Sequence, residues 1–190
     1  MTLPNLLTFS RIFLTLLFVV LMTQNGLFVK ALAAVVFFIA SLTDLFDGYY
    51  AKKYNLITNW GKLMDPIADK FLVLTVFFIF AQMHLIALWM FIVILAREII
   101  VTGMRLAAVM KGKVLAAEKA GKYKTAAQIT AISITLLFIV YQESPLFNAQ
   151  TVYIVRYWQY GIFTAMITAV VLTLTSGVFY IRHNLSALRG

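Results

Sequence analysis

Apolar residues run in long continuous stretches along this chain, and short polar breaks separate them. Each stretch approaches the ~20 residues that a helix needs to cross ~30 Å of hydrocarbon. The pattern predicts six helices, at about 8–24, 29–51, 61–82, 85–109, 122–141 and 152–181. The runs are continuous rather than alternating, which excludes a membrane barrel, and a helix satisfies its own backbone hydrogen bonds where no water reaches. The expectation is an all-α integral membrane protein of six transmembrane helices, forming a single domain over residues 1–190. The first stretch has the length of a cleavable leader. It is read as a mature helix, because no small-x-small cleavage site follows Met22 and "LPNLLTFSR" gives it a polar start of its own.

Composition agrees with the pattern: 63% of the 190 residues are hydrophobic and 12% charged, against roughly 45–50% and 25% in soluble domains. Sixteen Lys and Arg against seven acids give a net charge of +9, and the placement of the cations adds more than their number. With the N-terminus in the cytoplasm, the loops near 52–62 and 110–124 and the C-terminal "IRHNLSALRG" share one side. They carry Lys52, Lys53, Lys62, Lys111, Lys113, Lys119, Lys122, Lys124, Arg182 and Arg189, while the opposite side holds little beyond Lys30 and Arg156. The positive-inside rule therefore puts both termini in the cytoplasm. Such a face attracts the anionic headgroups of membrane lipids at about 1 kcal/mol per residue. Cations spread over membrane loops speak against nucleic acid as a partner. No cysteine is present, so disulfides and thiolate metal sites are excluded.

The acids break the pattern. All four aspartates, Asp44, Asp47, Asp65 and Asp69, fall at the facing ends of the second and third helices. Each ionised aspartate deep in a helix costs something like 2.5–3.5 kcal/mol, so the set needs compensation. At 100° per residue, Asp44 and Asp47 lie about 60° apart on one face, and Asp65 and Asp69 about 40° apart on the next. Antiparallel neighbours joined by a loop of roughly ten residues would bring the two pairs together. Oxygen ligands without His or Cys select Mg²⁺, Mn²⁺ or Ca²⁺. Two such ions would balance the four charges and leave positions open, a pattern suited to chemistry on a phosphate ester.

Gly48 and Ala51 follow Asp44 by four and seven residues, Gly61 precedes Asp65 by four, and Ala68 adjoins Asp69. Small residues there admit a ligand close to the backbone. They equally let two membrane helices pack closely. Asp65 before Pro66 also has the form of a helix N-cap, but capping accounts for none of the other three aspartates.

Residues 44 to 69 follow D-x2-D-G-x2-A-R-x8-G-x3-D-x3-D at every specified position but one, where Lys52 replaces arginine. On these residues the chain resembles the CDP-alcohol phosphotransferases. The resemblance implies a membrane enzyme of the cell inner (cytoplasmic) membrane, a homodimer with its active site on the cytoplasmic side. Such an enzyme moves a substituted phosphoryl group from a CDP-linked donor to an alcohol and releases CMP. It implies that Asp44, Asp47 and Asp65, with Asp69, bind two Mg²⁺ or Mn²⁺ ions and that Asp69 is the catalytic base. It also implies that Gly48, Ala51 and Gly61 make room for cytidine and diphosphate. Lys52 keeps a positive charge for a phosphate but lacks the planar fork of arginine.

The outer motifs "LPNLLTFSRIFLT", "LAREIIVTGMRLAA" and "GKYKTAAQ" resemble the bacterial phosphatidylglycerophosphate synthase branch. That branch implies CDP-diacylglycerol as donor and sn-glycerol 3-phosphate as acceptor; phosphatidylglycerol, serine or an inositol phosphate are the acceptors of sister branches. A phosphorylated acceptor calls for cations. Arg97 and Arg105 stand eight apart on the fourth helix, about 80° from one another, and Glu98 is placed to orient an arginine. Snorkelling to the interface is the alternative for Arg105, and plain topology for Lys122 and Lys124, the weaker candidates for the acceptor phosphate. Asn5, Thr8 and Arg11 are similar in placement to family residues near the nucleotide, and a helix-start motif reads them equally well. Phe77, Phe78, Trp89 and Trp158 read as packing or lipid-facing residues, and His84 and His183 as helix-end residues rather than ligands. A divalent-cation transporter is the competing class. Helices one, five and six lack intramembrane acids, which argues against it.

Overall fold

The computed structural model describes the backbone of residues 3–54, 59–110, 120–147 and 152–189, and the side chains of residues 9–43, 70–108, 110, 121–147 and 153–184. Within these it is all helical, without strands. The helices are α1 (Leu3–Thr23), α2 (Leu27–Tyr54), α3 (Asn59–Gln82), α4 (Leu88–Met110), α5 (Ala120–Gln142) and α6 (Val152–Arg189). Helices therefore form where the apolar stretches predict them. Two stretches, Gly121–Gln142 and Tyr153–Asn184, are long and apolar enough to cross a membrane, and shorter apolar ones cover Phe9–Thr23, Leu27–Thr43 and Lys70–Gln82.

Several ends overshoot the apolar runs. α2 continues to Tyr54 and α3 begins at Asn59, so both helices extend into the stretch of roughly ten residues expected as a loop between the aspartate pairs. Helical hydrogen bonding propagates into polar sequence once a turn exists, because each added residue gains a bond without a new nucleation step. α3 thus starts six residues before Asp65, and Pro66 sits inside the helix, where it forfeits the bond to the carbonyl of Lys62. The capping alternative for Asp65 does not hold. α6 likewise runs on to Arg189.

Against that trend, α4 starts late, at Leu88, because a tight turn intervenes. Leu85 N donates to the Phe80 carbonyl (3.0 Å) and His84 N to the Ala81 carbonyl (3.1 Å). His84 has φ 57°. Those two bonds around a left-handed residue form a Schellman stop for α3. At the end of α1, Lys30 is buried and its Nζ donates to the Met22 carbonyl (2.7 Å). Beside it, Gly26, at φ 115°, donates its N–H to Glu143 Oε2 of the α5 end (3.0 Å).

The core draws on all six helices, with Phe18, Phe37, Phe77, Ile94, Leu136 and Met166 almost fully buried. Trp158 stacks on Tyr141 (ring centroids 6.3 Å apart) and leans on Phe138, whereas Trp89 and Phe78 are exposed. Apolar exposure continues around the outside, with Phe13, Phe28, Ile99 and Phe163 all more than half exposed. A surface of that kind suits lipid rather than water. α1 packs on α2 and α3, α6 packs on α4 and α5, and contacts of α3 with α4 and of α5 with α2 and α3 join the two groups. Polar groups collect where α3, α4, α5 and α6 approach one another.

Candidate active site

Glu98 on α4 is almost completely buried. Its Oε1 accepts from Lys124 Nζ of α5 and from Arg97 Nη1 (3.1 Å), and its Oε2 pairs with Lys70 Nζ of α3 (3.3 Å). Lys70 Nζ also donates to Thr102 Oγ1, which in turn donates to the Glu98 carbonyl (2.6 Å). Arg97 Nη2 donates to Ser176 Oγ of α6 (3.0 Å). The carboxylate thus ties α3, α4 and α5 together, and Arg97 extends the network to α6. A buried charge is tolerable only when paired and hydrogen-bonded in this way.

A cavity of about 200 Å³ lies against this cluster, and its wall includes Lys70, Arg97, Glu98, Arg105, Lys124 and Tyr180. Four cations face one carboxylate there, so the cavity is poised for an anion. A second cavity, of about 180 Å³, shares Lys70, Glu98 and Lys124 as a common wall and extends to Arg11 of α1 and Ser41 of α2. Arg11 is buried there.

Of the acceptor residues expected from the sequence, Arg97, Arg105 and Lys124 meet in one cavity. Lys122 is exposed and is not among the residues lining that cavity. Glu98 pairs with Arg97 and with two lysines besides. Arg105 is exposed, with its guanidinium 5.9 Å from the centre of the Tyr180 ring.

Lys70, Ser176, Gly177 and Tyr180 were not foreseen as site residues. The signal for the last three is a stripe on α6, Thr173, Ser176, Gly177, Tyr180 and Asn184, recurring at helical spacing within apolar sequence. Gly177 matters for its missing side chain: a Cβ there would lie 3.0 Å from Arg97 Cγ and 3.2 Å from Arg97 Nε. Lys70 carries its own signal as the chain neighbour of Asp69.

The backbone is helical at Asp44 and Asp47 of α2 and at Asp65 and Asp69 of α3, so each pair keeps the one-face spacing of a helix. Their side chains lie outside the described residues, as do those of Asn5, Thr8, Gly48, Ala51, Lys52 and Gly61. Among the described residues, no group of three or more His, Asp or Glu could hold a metal ion. The donor chemistry at the four aspartate positions, all oxygen and all anionic, fits a hard divalent cation.

The chain belongs to the CDP-alcohol phosphatidyltransferase family, whose family model matches residues 1–176. It is a phosphatidyltransferase, and the family generally uses divalent metal ions. The resemblance drawn from the aspartate signature is thereby borne out. Among individual relatives, the chain is similar to the CDP-diacylglycerol–glycerol-3-phosphate 3-phosphatidyltransferase of Bacillus subtilis, 46% identical over 147 residues that cover 71% of this chain and 76% of the relative. The enzyme of the same name from Rickettsia typhi is 39% identical over 135 residues, with 71% and 76% covered. A Mycobacterium tuberculosis protein named probable phosphatidylglycerophosphate synthase is 32% identical over 191 residues, 99% of this chain and 84% of the relative.

Proposed function

We propose that this chain transfers the phosphatidyl group of CDP-diacylglycerol to a hydroxyl of sn-glycerol 3-phosphate, forming phosphatidylglycerophosphate and releasing CMP. The observation that carries the reading is the cation-lined cavity whose wall includes Lys70, the residue after Asp69. An acceptor held there by its phosphate on Arg97, Arg105 and Lys124 has its hydroxyl end free for the aspartate helix. The names of the relatives support the same donor and acceptor.

In this mechanism Asp69 takes the proton of the acceptor hydroxyl. The oxygen attacks the phosphorus that carries diacylglycerol, and the bond to the CMP phosphate breaks. Asp44, Asp47, Asp65 and Asp69 would hold two Mg²⁺ or Mn²⁺ ions, which would supply positive charge to offset the diphosphate and the departing CMP. Asn5, Thr8, Gly48, Ala51, Lys52 and Gly61 receive the nucleotide and diphosphate. Lys52 contributes a point charge where the family pattern has arginine. Glu98 fixes three cations before the acceptor arrives, and such preorganised positioning lowers the barrier more than flexible charges would. The chain acts as one domain over residues 1–190, a homodimer with six spans in the inner membrane. Both termini and the site face the cytoplasm.

The test is CMP release by purified protein given CDP-diacylglycerol, Mg²⁺ and a panel of acceptors. Release with sn-glycerol 3-phosphate is expected, lost on chelation with EDTA and restored by Mg²⁺. No CMP with any acceptor would overturn the enzyme reading, and release with serine alone would overturn the acceptor. Asp69→Asn is expected to abolish turnover while retaining donor binding; unchanged turnover removes Asp69 as the base.

A further inference from the structure

The cavity wall carries a donor that the mechanism above leaves idle. Tyr180 of α6 is only 4% exposed, yet its hydroxyl has no hydrogen-bond partner. Buried hydroxyls are rarely left so, and an orphan at the edge of a cavity points to a partner that enters the cavity. Arg105 covers one face of the ring at 5.9 Å. A second buried donor on the same wall, Arg97 Nε, also lacks a partner, although the Nη atoms of that guanidinium are committed to Glu98 and Ser176.

Two unfilled donors among four cations ask for a ligand that is anionic and offers several acceptor oxygens. A cation or an amine would add charge to an already positive cavity. A monocarboxylate has two oxygens to share among more donors than it can serve. A phosphate monoester, with three terminal oxygens, fits both the charge and the number of donors.

We propose that the Tyr180 hydroxyl donates a hydrogen bond to the phosphate of the acceptor and makes Tyr180 a specificity-determining residue for a phosphomonoester. The proposal rests on the acceptor reading above and deepens it. Tyr180 lies beyond residue 176, where the family match ends, so the assignment comes from this chain's own geometry. The contact acts on binding: it is present before and after the hydroxyl at the other end of the acceptor reacts, so it lowers KM without accelerating the chemical step.

The experiment compares wild type with Tyr180→Phe, which removes one oxygen and keeps the ring under Arg105. The expected result is a KM for sn-glycerol 3-phosphate raised about tenfold, the scale of one lost hydrogen bond to a charged group. The KM for CDP-diacylglycerol stays unchanged and kcat stays within about twofold. Inorganic phosphate, used as a competitor of the acceptor, should lose inhibitory strength by the same factor. Unchanged acceptor KM overturns the proposal and leaves the hydroxyl to a trapped water. A raised acceptor KM with unchanged phosphate inhibition also overturns it, because the contact would then be to the glycerol part.

Thermal stabilisation of the detergent-purified protein by inorganic phosphate gives a readout that needs no turnover. Stabilisation of wild type and a weaker effect on Tyr180→Phe support the contact, whereas equal stabilisation, or none in wild type, refutes it. If wild type releases no CMP with sn-glycerol 3-phosphate, the acceptor reading falls by itself, and the phosphate measurement still decides the role of Tyr180.

Discussion

Glu98 is the residue on which the cation-lined cavity turns, because it is the carboxylate that fixes Lys70, Arg97 and Lys124 at once. The Arg97 side chain packs against α6 at a glycine. Gly177→Ala would place a Cβ 3.0 Å from Arg97 Cγ, and the stem of an arginine cannot yield there without carrying its guanidinium along. The expected outcome is an acceptor KM raised roughly three- to tenfold, on the order of 1 kcal/mol, with the donor KM unchanged. Steady-state kinetics in both substrates checks it, and an unaltered acceptor KM would mean that Arg97 does not bind the acceptor. In the sequence, Arg97 and Arg105 announce themselves as charges in apolar surroundings, whereas Lys124 stands in a run of cations that topology explains equally well. Gly177 and Tyr180 do not announce themselves, since their meaning depends on which side chain passes over them and which atoms come near.

Among the elements, α3 and α6 show how far a linear pattern reaches. Hydropathy predicts both helices, and both run past their apolar parts into polar sequence. The stop after α3 is local in cause but hidden in the pattern: "QMHLIALW" is mostly apolar, and nothing in its periodicity marks His84 as the left-handed residue of a Schellman turn. An L-residue with a Cβ is strained in that conformation and glycine is not, although glycine also gains freedom in the unfolded chain. His84→Gly is therefore expected to stabilise the protein by about 0.5 kcal/mol, a melting temperature higher by about 1–2 °C. Turnover should stay at the wild-type level, because the turn closes the end of α3 opposite its aspartates. Thermal unfolding in detergent measures the shift, and a lower melting temperature would show that the imidazole makes a contact worth more than the strain.

For the whole molecule, the proposed topology puts Gln24 outside and residue 113 in the cytoplasm. The chain contains no cysteine, so single introduced cysteines report accessibility without background. With a membrane-impermeant maleimide, Gln24→Cys is expected to label in intact cells and Lys113→Cys only after permeabilisation. The reverse pattern would invert the protein and place its basic loops outside, against the charge bias that orients membrane helices.

The sequence by itself determined the class of fold and the class of chemistry. Apolar runs of membrane length become helices because the backbone has no other way to satisfy itself in lipid. The aspartate spacing survives into the structure as positions on helix faces because 3.6-residue periodicity is a local property. Tertiary structure decided what lies between helices. It brought Lys70, Glu98, Lys124 and Ser176 from four helices into one network, left Lys122 on the outside two residues from Lys124, and gathered Arg97 and Tyr180 around one cavity. Those outcomes depend on the rotation of each helix about its axis and on packing against neighbours far away in sequence, which no single helix encodes in its own periodicity.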